Sequence, residues 1–244
     1  MLENIRIALL IKQNGEDNMK VGLIGLGRMG QILAKKIAGQ AELCVFDRGE
    51  GRARRLADQL GVSAADRLAD IARREAVILA LPDQEVLRCI QYFNRLSQPL
   101  AVISVATNVS QQALEEAARP PVRCISVKFI AHAGEMALGA EPVIIVNEKP
   151  EELAEIAADL FSAVGRVIVG RSDMVSSVNI AAAEAALTAA VQIEENLRLQ
   201  GITDEFIVKS AIRQVAAGIL KAYANNDLGP FARKVVQSLK VKLT

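Results

Sequence analysis

The segment KVGLIGLGRMGQ at residues 20–31 constrains this chain more than any other. An apolar run with the look of a buried parallel strand ends in glycine, and a helical pattern starts at once. Gly25, Gly27 and Gly30 form a G-x-G-x-x-G motif at that strand-to-helix junction. The first glycine permits a tight turn, the second lets backbone approach a pyrophosphate, and the third lets the helix pack closely on the strand. Unpaired N–H groups at the helix N-terminus then receive the phosphates. Leu26, Arg28 and Met29 fill the intervening positions and are expected at the nucleotide with the glycines. The next apolar run, AELCVFD, closes on Asp47, 22 residues beyond Gly25. That is near the spacing of about 20 expected for an acid that bonds a ribose 2′-hydroxyl. Together these features predict a dinucleotide site.

The choice of dinucleotide turns on the residues after Asp47. Arg48 follows directly, then Arg52, Arg54 and Arg55. Asp47 favours NAD, whereas a guanidinium here can pair with the 2′-phosphate of NADP. The last three arginines also fit the solvated face of a helix, which leaves Arg48 as the candidate for adenine stacking or phosphate contact. The reading leans to NADP, with NAD possible.

Strands and helices alternate from Met19 to about Ala118. After KVGLIGL come helix MGQILAKKIAG, strand AELCVFD, helix GRARRLADQLG, strand EAVILALPD, helix QEVLRCIQYFNRL, strand LAVISVAT and helix SQQALEEAA, which Ser110 can cap. Two further strands flank a glycine-containing loop, AHAGEMALGAE. A helix opening on Pro150 and a short strand, RVIVG, complete the α/β part. This rhythm predicts an α/β fold: a Rossmann, doubly wound, mainly parallel sheet with helices on both faces. Ligands in such sheets sit outside the carboxyl ends of the strands. Leu81 and Pro82, at the end of EAVILALPD, and the VATN stretch at 105–108 are therefore expected along the nicotinamide half.

From Ser172 onward the pattern is helical: nearly thirty residues to Gly201, then a helix that Thr203 or Asp204 can cap, then one opening on Pro230. The IAAAEAALTAAV run is small and apolar on nearly every face, as in a helix buried all round. So few residues make a poor core alone. A homodimer through these C-terminal helices is expected. The expected division is an N-terminal extension or added strand at 1–18, a nucleotide-binding domain at 19–171 and a smaller all-helical dimerisation and substrate domain at 172–244. The extension is either the product of an upstream start codon or an edge strand, IRIALLIK, followed by a turn, QNGEDN.

Composition excludes some classes. The chain has 244 residues, 29 basic against 28 acidic, for a net charge of +1. No long-range field attracts nucleic acid or anionic lipid. No apolar run is expected to reach membrane-spanning length. Three separated cysteines, Cys44, Cys89 and Cys124, read as reduced thiols of a cytoplasmic protein. One histidine and no clustered carboxylates give no metal site.

KVGLIGLGRMG, VFDR, AVILALPDQEV, VISVATNVSQQALEEA and LFSAVGRVIV, ahead of an all-helical tail, resemble the pyrroline-5-carboxylate reductase family. GLGRMG and VFDR also resemble 6-phosphogluconate and 3-hydroxyisobutyrate dehydrogenases and F420-dependent NADP reductases. The first resemblance implies an NAD(P)H-dependent reductase of a cyclic imine, a small-molecule substrate, and a dimer with interleaved C-terminal helices. The chain departs from that family where substrate is held. NIAAAEA stands where the family has a Ser-Gly-Ser-Gly-Pro-Ala-Tyr-like segment, and SVKFIAHAGE replaces its Pro-Asn loop. The hydroxyacid dehydrogenases place a lysine three residues before an asparagine. Asn179 matches the asparagine, but Ser176 occupies the lysine position.

The catalytic candidates are Asn179, Lys128 and Ser176. Asn179, Ser176 and Ser177 open the long helix and could orient a carbonyl or imine, although serines there also serve as caps. Lys128, at the end of a strand, could donate a proton or anchor a carboxylate, or could be a snorkelling surface lysine. His132 could be a general acid, though a lone loop histidine is more often structural. Glu184, in so apolar a run, needs a partner or a raised pKa. Two functions follow: hydride transfer from NAD(P)H to a small imine or carbonyl, or a non-catalytic NAD(P)-binding dimeric sensor.

Overall fold

The computed structural model describes residues 18–49, 51–96 and 98–243. The two readings of the N-terminal extension fall on residues 1–17, outside the described residues. The rest forms two compact units that divide between Asn179 and Ile180. That division lies inside the long helix, beyond the 171/172 junction read from sequence.

The first unit runs β1 (Lys20–Ile24), α1 (Arg28–Ile37), β2 (Glu42–Phe46), α2 (Arg52–Leu60), β3 (Ser63–Ala64), α3 (Leu68–Ile71), β4 (Ala76–Leu79), α4 (Asp83–Phe93), β5 (Leu100–Ser104), α5 (Gln111–Ala117), β6 (Val122–Ile130), α6 (Ala133–Ala137), β7 (Val143–Asn147), α7 (Glu151–Ser162) and β8 (Arg166–Gly170). It closes with the first turns of α8 (Met174–Leu199). The strand order is β3-β2-β1-β4-β5-β6-β7-β8. Pairing is parallel from β3 through β6, antiparallel between β6 and β7, and parallel between β7 and β8. The mainly parallel Rossmann sheet is as expected. The short β3 and α3 escape the sequence pattern because a two-residue strand carries no periodicity.

Continuous apolar strands such as AVIL and LAVIS are buried on both faces. One face packs a core around Leu23, Leu33, Ile103, Phe129 and Phe161, the other around Ile24, Val77, Ile90, Phe93 and Leu114. Phe129 and Phe161 meet edge to face at 5.9 Å. Ser110 caps α5 by accepting from the Ala113 N–H at 3.0 Å.

Among the described residues, the buried polar side chains are Ser104, Gln111, Ser126, Lys128, Asn147 and Ser172. All lie on β5, β6 or β7 or on the segments that directly follow β5 and β8. The Gln111 carboxamide accepts from Ser126 N–H at 2.8 Å and donates to the Cys124 carbonyl at 3.2 Å. It pairs with the β6 backbone as a neighbouring strand would. Asn147 Oδ1 accepts from the Ser172 hydroxyl at 3.2 Å.

The second unit holds the rest of α8, then α9 (Glu205–Ser210), a π-helical turn (Ala211–Ala216), α10 (Ala217–Ala224) and α11 (Pro230–Leu243). Asp204 caps α9, accepting from Phe206 N–H at 2.9 Å and Ile207 N–H at 3.0 Å. None of its described side chains is buried within the single chain. Helix α8, expected to be buried all round, buries only Val175. Glu184, whose setting called for a partner, stands exposed on it. One expectation needs correction: α8 is long and apolar enough, by length and composition, to cross a membrane. Its alanines carry the apolar character that a search for large side chains passes over.

Replacing Gln111 with Leu leaves Ser126 N–H and the Cys124 carbonyl unpaired in a buried place. A loss of about 1–3 kcal/mol is expected for such a change, read as a lower urea midpoint with an unchanged slope.

Candidate functional site

The turn after β1 brings three chain segments together. Gly25 has φ +92°, in the left-handed region that glycine adopts without strain, and an added Cβ would lie 2.4 Å from the Ala80 carbonyl. A Cβ on Gly30 would lie 1.8 Å from the Gly25 carbonyl oxygen, so α1 sits directly on the turn. A Cβ on Gly27 would meet nothing within 4 Å. Gly27 caps α1, so the first N–H groups of that helix have no partner within it.

Beside the turn a cleft of about 700 Å³ opens between the ends of β1, β2 and β4. This is the point where strand order reverses, the usual ligand position in such sheets. Gly25, Gly27, Asp47, Arg48, Leu81 and Pro82 all line it. Leu81 and Pro82 therefore line the same cleft as Asp47 and Arg48. Asp47 Oδ2 accepts from Leu26 N–H at 2.7 Å, and Oδ1 from Gly49 N–H at 2.7 Å. The carboxylate thus fastens the end of β2 to the glycine turn. Leu26 has a fully buried side chain and reaches the site only through its backbone. Met29 packs against the core, and Arg28 lies outside this cleft.

Three guanidiniums and two carboxylates edge the cleft. Arg52 pairs with Asp47 at 3.3 Å. Arg48 and Arg88 pair with Glu85 at 3.0 and 2.6 Å. Arg54 turns away to Asp66. Glu85 and Arg88 escape sequence reading, since an i,i+3 pair looks like any solvated helix face. Cys89 also lines the cleft. Burial, reinforced by the Glu85 carboxylate, pushes its thiol up to about 11, so it is not a nucleophile at neutral pH.

The catalytic candidates gather one and two strands along, beside β5 and β6. Lys128 is neither at a strand end nor on the surface: it lies within β6, its side chain 2% exposed. Its Nζ donates to Asp173 Oδ1 at 2.6 Å, and Asp173 is 45% exposed. Asp173 also accepts from Gln111 N–H at 3.3 Å. Ser176 donates to Asn108 Oδ1 at 3.2 Å, and Asn179 donates to the Phe129 carbonyl at 2.9 Å. Ser126 Oγ, on the same strand as Lys128, is buried without a hydrogen-bond partner. Asp173 was the residue missed; an acid just before a helix reads as a routine N-terminal residue. His132 is exposed at the start of α6. Among the described residues no group of three or more metal-ligating side chains occurs.

Residues 20–108 match the family described as NADP oxidoreductase, coenzyme F420-dependent. A pyrroline-5-carboxylate reductase from Coxiella burnetii superposes with a TM-score of 0.67 at 14% identity, covering 91% of this chain and 85% of that one. The fold is that of the pyrroline-5-carboxylate reductases. The pyrroline carboxylate reductase of Plasmodium falciparum, with NADP bound, gives 0.61 at 15% identity, covering 93% and 92%. An imine reductase variant from Myxococcus stipitatus, in complex with NAD+, gives 0.63 at 18%, covering 85% and 77%. No curated protein matches the sequence significantly. The first unit is thus an NAD(P)-dependent oxidoreductase fold, with its glycine turn inside the matched region.

Two glycine substitutions separate folding from binding. Gly30→Ala forces α1 off the turn and is expected to lower the thermal midpoint sharply. Gly27→Ala meets no protein atom, so it should melt like the parent chain yet bind NADPH at least tenfold more weakly. Melting curves and nucleotide fluorescence titrations check both.

Proposed function

We propose that the chain is an NADP(H)-dependent reductase of a small imine, with NAD accepted less well. The observation that carries this reading is the pairing of a glycine-turn cleft with a polar cluster on the neighbouring strand ends. The nicotinamide would supply the hydride. The protein has to supply a proton to the nitrogen. Lys128 is a buried ammonium, and Asp173 connects it to the open edge of the sheet. Asn179 and Ser176 hold the first turns of α8 beside them. Arg48 and Arg52 at the cleft mouth support a 2′-phosphate, while the committed oxygens of Asp47 leave less for a free ribose hydroxyl.

A second reading, the NAD(P)-binding sensor, has its own support. Lys128, Ser176 and Asn179 each already hold a protein partner, so none is open for substrate without exchange. NADPH fluorescence with excess pyrroline-5-carboxylate decides between the two. Saturable binding followed by slow loss of signal is expected. Lys128→Met and Asp173→Asn should then slow that loss by about 10²-fold or more, as for removal of a general acid, with NADPH affinity kept. Binding without loss of signal transfers the weight to the sensor.

The C-terminal helices support a homodimer. Phe206, Phe231, Leu187 and Leu199 are all at least 66% exposed within one chain. A solution mass of twice 26.2 kDa is expected, and Leu187→Glu should return it to that of one chain by light scattering. Three free thiols support a reducing compartment, which for this chain would be the cytoplasm.

A further inference from the structure

A second cleft, of about 360 Å³, opens between α1 and α6. Its α1 wall carries Arg28, Lys35 and Lys36, and its apolar part includes Ile32 and Met136. Among the described residues no carboxylate lines it. Among the described residues, none of the three cations has an ion-pair partner. The first cleft differs: there Asp47 and Glu85 neutralise the arginines. Lys35 and Lys36 have one explanation already, since cations near a helix C-terminus complement its dipole. Arg28 has the opposite setting. It opens α1, at the positive end of the dipole, with no acidic residue in the first turn. It also lines this cleft and not the nucleotide one.

The facing wall is built from small residues, Ala133, Ala137 and Gly139, which leave the space open. A Cβ on Gly139 would meet nothing within 4 Å. Between Ala137 and Gly139 stands Leu138, 84% exposed, more than any other large apolar residue among the described residues of this unit. Positive charge without a paired carboxylate among the described residues, an apolar lining and an exposed leucine adjacent in sequence to two lining residues call for one kind of occupant. The volume lies at the low end of the roughly 300–1,000 Å³ of small-molecule sites.

We propose that this cleft is a second ligand site, distinct from the dinucleotide cleft, for a small molecule carrying one anionic group on an apolar body. The anion meets Arg28, Lys35 and Lys36, and the body lies against Ile32 and Met136 with Leu138 at its edge. The site does not depend on the proposed reductase activity.

Titration of the 15N-labelled full chain with 1-naphthyl phosphate, with and without saturating NADP+, tests it by amide chemical shifts. Saturable shifts at Gly134 and Gly139 are expected in both conditions. The double variant Lys35→Glu/Lys36→Glu should weaken binding at least tenfold with the remaining spectrum unchanged. Ala137→Glu, on the opposite wall, should weaken it as well. Naphthoate serves as the second probe, and tighter binding of either supports the site and identifies its anion. Inorganic phosphate should shift the same amides only weakly; equal affinity for it overturns the apolar half of the proposal. Shifts confined to Gly25 and Gly27, no saturation, or equal affinity in the charge-reversed variants overturn the site itself.

Discussion

Everything at the nucleotide end depends on one close approach, that of helix α1 to the turn it follows. With no side chain at Gly30, the helix start rests on the carbonyl oxygen of Gly25. That contact aims the N-terminus of α1 across the ends of the parallel strands, and it fixes the cleft wall that Gly27 leaves bare. Asp47 then locks the arrangement from the other side, through a charge-assisted bond to Leu26 N–H. The acid is thus a structural brace before it is a ligand group. Any nucleotide that reaches for its oxygens does so in competition with two backbone donors.

A second organising feature is the confinement of buried polarity. A chain whose core is otherwise apolar places Ser104, Gln111, Ser126, Lys128, Asn147 and Ser172 on or just after four neighbouring strands, β5 to β8. Buried polar groups are mostly partnered, and here several of the partners lie in the segment leading into α8, although Ser126 Oγ has none. Asn147 holds Ser172, Lys128 holds Asp173, and Phe129 holds Asn179 through its carbonyl. The network therefore also explains why the first turns of α8 belong with the sheet and the rest of the helix does not.

Much of this was legible in the sequence, for reasons that differ by element. The turn at 25–30, the acid at 47 and the aliphatic strands are local signals: each is set by residues within a few positions of one another. Lys128 was visible as a candidate but not as a buried one, because the partner of its ammonium group, Asp173, lies 45 residues away in sequence. Asp173 gave no signal at all, since only the antiparallel return through β7 brings it to β6. The same non-local packing joins Leu81 and Pro82 to Asp47. The long helix misled in one respect: its small side chains hid an apolar length sufficient for a bilayer.

The exposed faces of the second unit have a thermodynamic consequence. Chain entropy opposes the ordering of these helices, and within one chain they bury no side chain to offset it. Anything that covers them would therefore enter their folding as a reactant. By mass action, the persistence of this unit would follow the concentration of whatever sits on it, whereas the sheet unit has two apolar cores of its own to hold it folded. One polypeptide then holds two stability laws, joined within a single helix between Asn179 and Ile180.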